Sequence, residues 1–341
     1  VPGAHRAAAA AHPQAACSWT RRATSAHTEI QAIKIAAPAT VEWILDKAVQ
    51  VHGAGGLSQD FPVAEWYAQV RTLRFADAPT RCTRTPSPDT RSAGGPHMPD
   101  LQQRVEELLA SHDPQTSDPA QFLGAQFDAG LAWVHFPQGK GGLGLSRGRQ
   151  LEVDALLEEA GAPRPDFAKN SIGLGMAAPT LLAFGTEELQ QRFLRPLFTC
   201  TEIWCQLFSE PGAGSDLAGV ATRAVPDGDE WVVDGQKVWT SGAHNAQFAI
   251  LVARTDPTVP KHAGMTYFVV DMSDPGIEVR PLRQLTGEAE FNEVFLTGVR
   301  VPDTHRVGAV GAGWKVATTT LNNERVAISA GNEREAGQIA S

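Results

Sequence analysis

The sequence is poor in cysteine and has no long apolar run, and each scarcity excludes a class of protein. Four cysteines in 341 residues are too few for a disulfide framework. Cys200 and Cys205 lie five positions apart, but no second Cys/His pair stands at a spacing typical of a zinc site. We therefore predict reduced thiols and no metal. No apolar run approaches the roughly 18 residues that a membrane-spanning helix needs.

An excess of positive charge is also missing. The formal net charge of -9 gives no reason to expect a nucleic-acid partner, which usually requires basic patches. The Ala-rich N-terminus is interrupted by His5, Arg6, His12 and Pro13, so it lacks the apolar segment of a signal peptide. We expect a cytoplasmic protein without a membrane span.

Charge and composition change near residue 97. Residues 1–97 contain ten basic and seven acidic residues, whereas the remainder contains 19 and 31. Residues 78–97 are rich in Pro, Gly, Ser and Arg, which is typical of a linker. Met98 follows directly, and it is either an internal translation start or a chance methionine. The sequence thus predicts a junction between two differently derived segments.

Helical periodicity is found on both sides of this linker. Residues 1–28 show no periodicity and are expected to be disordered, whereas residues 29–77 repeat apolar side chains at helical spacing. Pro38 is expected to kink or divide the first helix there. Residues 98–200 are mainly helical in pattern.

The period becomes two from about residue 201, which predicts a β domain over 201–308. Seven short strands without helices between them favour an antiparallel sandwich or barrel. They are predicted at Ile203–Phe208, Ala218–Ala224, Glu230–Trp239, Phe248–Arg254, Thr266–Asp271, Ile277–Leu282 and Glu290–Val301. A last helix is predicted from Trp314, within the segment 309–341.

The run Gln206–Asp216 begins as an apolar strand and opens into a Pro/Gly turn. Its Gly212-Ala213-Gly214 lacks the third glycine of a dinucleotide-binding fingerprint and precedes no helix, which excludes a Rossmann site. A hairpin turn is one interpretation. A binding loop for a flat heteroaromatic ligand is the other, because polar side chains stand beside an apolar strand. These are Ser209, Glu210, Ser215 and Asp216.

A second run, Lys237–Gly242, contains a tryptophan and a hydroxyl two positions apart. Alternate residues of a strand share a face, so Trp239 and Ser241 can contact the same ligand. The alternative is that Trp239 is a core residue, as tryptophans in sheets commonly are.

Both runs resemble long motifs of the acyl-CoA dehydrogenase family. Trp204–Asp216 reads WCQLFSEPGAGSD and Gly235–Ala243 reads GQKVWTSGA. The resemblance extends from about Met98 to the end of the chain. It implies an α+β fold in three parts: a helical N-terminal domain, an antiparallel β-sandwich or barrel middle domain, and an incomplete C-terminal helical bundle.

Membership of this family implies non-covalent FAD and α,β-dehydrogenation of an acyl-CoA thioester in fatty acid metabolism. It further implies an electron-transfer flavoprotein as partner and a homo-oligomer. The matched cofactor-binding residues are Gln206, Phe208, Ser209, Gly214, Ser215, Trp239, Thr240 and Ser241. Ser215 would also lie near the pantetheine arm of the substrate. Two alternatives remain open: an oxidase or flavin monooxygenase of the same fold, and a non-catalytic fragment that cannot hold FAD.

The resemblance offers two candidates for the catalytic carboxylate. Glu324 matches the base of some members, on the first helix after the β domain, with Asn322 and Arg325 matching residues near the substrate. A Glu–Arg pair on a solvated helix face is the alternative for Glu324. Asp77 falls where many members carry the base, but its side chain is shorter than the usual Glu, and Ala78 replaces an expected Gly.

Residues 29–77 resemble the end of the family's C-terminal domain, although they precede the N-terminal one. In family dimers, residues that match Gln50, Gly53 and Ala54 reach the FAD of the neighbouring subunit. This order is consistent with a junction of two genes or an assembled fragment, and less so with a circular permutation.

Overall fold

The computed structural model describes residues 27–52, 62–72, 101–284 and 287–336. They divide into two compact units: the described residues up to Thr72 with the segment Arg283–Glu288, and all the others. The predicted linker 78–97 and Met98 lie outside the described residues, as do Gly53, Ala54 and Asp77. Of the segment expected to be disordered, only its last two residues are described, in the first helix.

Two helices make up most of the first unit. Helix α1 spans His27–His52 and helix α2 spans Val63–Thr72. Helix α1 continues through Pro38, so of the two predicted alternatives, a kink or a division, the division into two helices is wrong. Val63 and Ala68 of α2 are buried, whereas Trp66, which the helical pattern placed on the apolar side, is exposed.

The second unit begins with short helices, which confirms the helical pattern after residue 98. Side-chain caps define three of their starts: Asp118 accepts from the Gln121 amide, Asp166 from the Lys169 amide and Thr186 from the Leu189 amide. The helices are α3 Leu101–Ser111, α4 Pro119–Asp128, α5 Gln150–Glu159, α6 Phe167–Ile172, α7 Ala178–Phe184 and α8 Glu187–Phe198.

A π-helical turn at Gly173–Ala177 joins α6 to α7. Within it, the Ala178 amide donates to the carbonyl of Gly173, five residues earlier. Pro179 explains the wider turn, because proline has no amide for the regular bond to Gly175 and its ring would clash with that carbonyl. Such turns are frequent at functional sites.

The β domain is one eight-stranded sheet in the order β6-β7-β3-β2-β4-β5-β8, with β1 also beside β4. Most pairs are antiparallel, but β1 runs parallel to β4, as does β2 at one residue pair. The predicted α+β class is therefore confirmed, with a mixed sheet. The strands are β1 Trp204–Leu207, β2 Arg223–Asp227, β3 Glu230–Ser241, β4 Phe248–Arg254, β5 Met265–Asp271, β6 Ile277–Leu282, β7 Phe291–Pro302 and β8 Arg306–Val307.

The strand predicted at Ala218–Ala224 is wrong over most of its length. Leu217–Gly219 form a 3-10 turn, and β2 begins only at Arg223. The amides of Ala221 and Thr222 donate to the Glu210 carboxylate, so they are not available to a neighbouring strand. A side chain has replaced the sheet as their partner.

Strand alternation places apolar side chains on both sides of the sheet. On β5, Tyr267 packs in the core shared with the helices, whereas Phe268 packs in a second core among strands. The last helix, α9, spans Gly313–Ala336 and starts within one residue of the prediction; its Val316 packs in the first core. None of the helices in the described ranges is long and apolar enough to cross a membrane.

Candidate functional site

The two sequence runs lie side by side in the structure. The amide of Val238 on β3 donates to the carbonyl of Ser209, just after β1, over 2.9 Å. Lys237 Nζ also donates to the carbonyl of Phe208 at 3.0 Å. The end of β1 and the middle of β3 therefore form one continuous wall.

Trp239 is the most unusual residue of this wall. Its φ angle is 60°, and β3 shifts register against β7 between Lys237 and Thr240. A left-handed backbone costs a non-glycine residue about 1–2 kcal/mol. The side chain is 56% exposed, so the alternative of a core tryptophan is wrong. Its ring meets Phe291 edge-on at 5.7 Å and otherwise presents a large aromatic surface.

The two residues after Trp239 supply polar atoms. The Thr240 side chain is buried, and its hydroxyl finds no hydrogen-bond partner among the described residues. Ser241 is exposed. An exposed aromatic face close to an exposed hydroxyl fits a flat ligand with polar edges.

The loop after β1 is both a hairpin turn and part of the wall. Glu210 and Ala213 exchange two backbone hydrogen bonds of 2.9 and 3.0 Å across Pro211-Gly212. Gly214 and Ser215 then follow as exposed residues. No atom lies within 4 Å of the place where a side chain of Gly214 would begin, so there is open space above it.

Two further predicted residues, Gln206 in β1 and Phe208 directly after it, differ in exposure. Gln206 is half-buried. The Phe208 side chain is buried and packs edge-on against Tyr267 at 5.8 Å. A ligand on the wall would therefore meet Phe208 through its backbone.

A buried ion pair that sequence reasoning missed stands behind the wall. Lys237 Nζ donates to Glu210 Oε1 at 2.8 Å and also to the carbonyl of Val252 at 2.9 Å. The sequence predicts Glu210 as one of the polar side chains of a binding loop, whereas only 7% of its side chain is exposed. The signal that could have indicated such a partner is a lysine at an inward-facing position of a strand, because buried lysines are almost always paired.

Burial and pairing act in opposite directions on these two groups. Burial raises the pKa of Glu210, but the Lys237 charge and the donated hydrogen bonds outweigh it, so the pKa lies below the ordinary 4.5. Burial lowers the pKa of Lys237 to about 8 against the attraction of Glu210. Lysine and glutamate therefore form an ion pair at neutral pH.

A second, exposed ion pair holds the far end of the loop. Lys261 Nζ donates to both carboxylate oxygens of Asp216, at 2.8 and 2.7 Å. About half of each side chain is open to solvent. The loop between β1 and the 3-10 turn is thus fixed by an ion pair at each end.

The candidate base lies on α9, in the same unit as the wall. Glu324 is half-buried and Asn322 is exposed. The backbone at the start of α9 packs closely against β5. A Cβ atom at Gly313 would lie only 2.7 Å from the carbonyl carbon of Met265. Arg325 belongs to the same helix. Gln50 is exposed near the end of α1, in the other unit.

Sequence models for three domains of one family match this chain. The acyl-CoA dehydrogenase C-terminal domain matches residues 4–82, the N-terminal domain residues 101–201 and the middle domain residues 205–299. The C-terminal match therefore precedes the other two.

Curated relatives carry the same family name. The chain is 53% identical over 204 residues to the acyl-CoA dehydrogenase FadE34 of Mycobacterium tuberculosis, covering 60% of this chain and 28% of FadE34. It is 48% identical over 206 residues to IpdE1 of the same organism, covering 60% and 52%. The chain thus matches about a quarter to a half of these relatives' length.

A solved structure shows the same fold. A variant of the Tcur3481-Tcur3483 steroid ACAD is 32% identical, with a TM-score of 0.52 over 67% of this chain and 63% of that one. The motifs, the three domain matches and this structure agree. The chain belongs to the acyl-CoA dehydrogenase family.

Proposed function

We propose that this chain is part of an FAD-dependent enzyme that removes two hydrogens from the α and β carbons of an acyl-CoA thioester. The observation that carries the proposal is the exposed Trp239, held in a left-handed conformation beside Ser209 and Ser241. Strained residues persist where surrounding structure enforces them, and they cluster at ligand sites.

The wall fits a flavin. The indole of Trp239 offers a face for stacking, and Ser241 offers an exposed hydroxyl. Thr240, whose side chain is buried, would contact the ligand through its backbone. Ser209, Gly214 and Ser241 would border the ligand in front of the wall, with Gln206 alongside. When bound, FAD supplies the acceptor for the hydride that leaves the β carbon.

Glu324 is the proposed base for the α proton. A half-buried carboxylate is less solvated than an exposed one, which favours proton abstraction in a water-poor pocket. Asn322 and Arg325 would lie near the thioester, and Ser215 near the pantetheine arm. Hydrogen bonds to the thioester carbonyl would acidify the α carbon, because the charge that develops there is stabilised.

Partners and the second half of the site are part of the same proposal. Electrons would pass to an electron-transfer flavoprotein, and the enzyme would act as a homo-oligomer in the cytoplasm. Gln50, Gly53 and Ala54 would contact the FAD of a neighbouring subunit. Asp77 is proposed as the base of the dehydrogenase to which residues 29–77 belong.

The order of the domain matches supports two dehydrogenase units in one polypeptide. About the same number of residues makes up 28% of FadE34 and 52% of IpdE1, so FadE34 is nearly twice as long. A chain of that length has room for a C-terminal domain followed by a second N-terminal domain. Intact mass of the natural protein tests this: a single-unit mass would contradict it.

Substrate-dependent bleaching of the flavin tests the proposed activity. We expect purified protein to carry a flavin absorbance spectrum that bleaches anaerobically with an acyl-CoA, with straight-chain and steroid-derived thioesters as probes. Glu324→Gln should abolish bleaching and retain the flavin. Glu106→Gln, which changes an exposed side chain of α3, should bleach like the wild type. Bleaching that survives in Glu324→Gln would contradict the role of this base. Rapid reoxidation by oxygen without the electron-transfer partner would instead indicate an oxidase.

A further inference from the structure

Three hydroxyl groups meet in the core where α7, β5 and α9 pack together. Thr180, Tyr267 and Thr320 each have a fully buried side chain. Thr320 Oγ1 lies 2.9 Å from Thr180 Oγ1 and 3.0 Å from the Tyr267 hydroxyl. We call these three residues the hydroxyl cluster.

The donors and acceptors of the hydroxyl cluster can all be satisfied together. Thr320 donates its single hydrogen to the carbonyl of Val316, one turn earlier in α9, at 3.1 Å. Its oxygen can then accept from both Thr180 and Tyr267. Burial raises the pKa of Tyr267, so its hydroxyl remains a donor. Thr320 therefore connects α9 to two other elements at one atom.

The position of Thr320 gives the hydroxyl cluster its significance. Thr320 and Glu324 are four residues apart in α9, so they lie on the same side of the helix, one turn from each other. Tyr267 extends the connection in the other direction, because its ring packs edge-on against Phe208 at 5.8 Å. A short chain of contacts thus leads from the wall to the turn of α9 next to Glu324.

We propose that the hydroxyl cluster is a positioning device that sets the rotation and height of α9, and with them the place of Glu324 relative to the wall. The first turn of α9 is already fixed where Gly313 lies against the β5 backbone. A helix fixed at one point can still tilt and rotate, and contacts at Thr320 remove that freedom. Apolar packing alone would fill the space without selecting one rotation.

The proposal rests on the proposed role of Glu324, and three variants of the same helix test it. Thr320→Val keeps the shape and removes the hydroxyl, which leaves Thr180 and Tyr267 without their partner. Thr318→Val is the matched control, because Thr318 also donates to a carbonyl one turn earlier, that of Trp314, but is exposed. Thr320→Ser should restore the wild-type behaviour.

The first measurement is hydrogen exchange of the protein without substrate. We expect the amides of residues 321–324 to exchange about 5- to 100-fold faster in Thr320→Val, because two buried hydroxyls lose a bond. Thr318→Val should change exchange less than about twofold. Wild-type exchange in Thr320→Val, or an equal change in Thr318→Val, would overturn the proposal. If Thr320→Val does not fold, Tyr267→Phe removes a single bond and is expected to give a smaller change of the same sign.

The second measurement is the rate of flavin bleaching by an acyl-CoA. Misplacement of a reacting group by an ångström costs about 100-fold in rate, so Thr320→Val should slow bleaching about 10- to 100-fold with nearly unchanged substrate affinity. A loss of affinity with an unchanged bleaching rate would contradict positioning. If the wild type does not bleach at all, the proposed function fails, and hydrogen exchange alone then decides whether the hydroxyl cluster holds α9.

Discussion

Two lysine–carboxylate pairs hold the same loop, and they differ in nearly everything except their chemistry. The Lys237 and Glu210 side chains are 0% and 7% exposed, whereas those of Lys261 and Asp216 are 50% and 61% exposed. The ion-pair distances are almost equal, at 2.8 and 2.7 Å. Distance therefore does not distinguish the two pairs.

Burial makes the inner pair costly to break. Lys237 is buried and donates hydrogen bonds to Glu210 and to the carbonyls of Phe208 and Val252 in place of water. Glu210 also accepts from two backbone amides. Removing one partner would leave a buried charge without its counter-charge. The outer pair can exchange its partners for water, so its loss costs little. The inner pair thus stabilises the wall, whereas the outer pair contributes little to the stability of the loop.

Lys237→Met should have the largest effect on stability. The substitution leaves the Glu210 carboxylate buried beside an apolar side chain, and we expect the free energy of unfolding to fall by about 3–5 kcal/mol. Urea denaturation of the two proteins measures the difference. The double variant Lys237→Met/Glu210→Leu should regain part of this loss, because no buried charge remains. A loss below about 1 kcal/mol in Lys237→Met would contradict the account.

Acid should weaken the inner pair in a predictable direction. The pKa of Glu210 is lower in the folded protein than its ordinary 4.5. Its contribution is therefore present above pH 4.5 and is lost as the pH falls through the lower, folded value. Glu210→Gln lacks this titration, so the stability difference between wild type and variant should shrink as the pH falls. Thermal denaturation at a series of pH values measures it, and a difference that stays constant would contradict the assignment.

Lys261→Ala should have the smallest effect. An exposed ion pair is screened by salt, and we expect a loss of at most about 1 kcal/mol that disappears at high ionic strength. The comparison is urea denaturation of wild type and variant at low and high salt. A loss equal to that of Lys237→Met would show that burial does not separate the two pairs.

Features that depend on interactions between residues close in the sequence could be predicted, and features that depend on distant residues could not. The strands at Phe248–Arg254 and Ile277–Leu282 were predicted with their observed bounds, because alternation and turn residues are local signals. The two motif runs were also found from sequence. Their adjacency depends on hydrogen bonds between residues some 30 positions apart, such as the 2.9 Å bond from Val238 to Ser209.

The features that sequence reasoning missed all depend on contacts between segments that are distant in the sequence. The Glu210 carboxylate accepts hydrogen bonds from the amides of Ala221 and Thr222, so these residues do not form the strand predicted at Ala218–Ala224. The left-handed backbone of Trp239 arises from a register shift between β3 and β7, which no local pattern encodes. Nothing in the local pattern distinguishes Thr320 from other helix residues, because its hydroxyl partners Tyr267 and Thr180 lie 53 and 140 positions away.

FAD binding to the wall is the most direct test of the account. Equilibrium titration with FAD should be carried out on the wild type, on Trp239→Ala, and on Trp66→Ala as a control, since Trp66 is exposed to a similar extent at 50%. Loss of the stacking face should weaken binding about tenfold in Trp239→Ala. Trp66→Ala should bind FAD like the wild type. A wild type that does not bind FAD, or equal dissociation constants for wild type and Trp239→Ala, would contradict the claim that this wall holds the flavin.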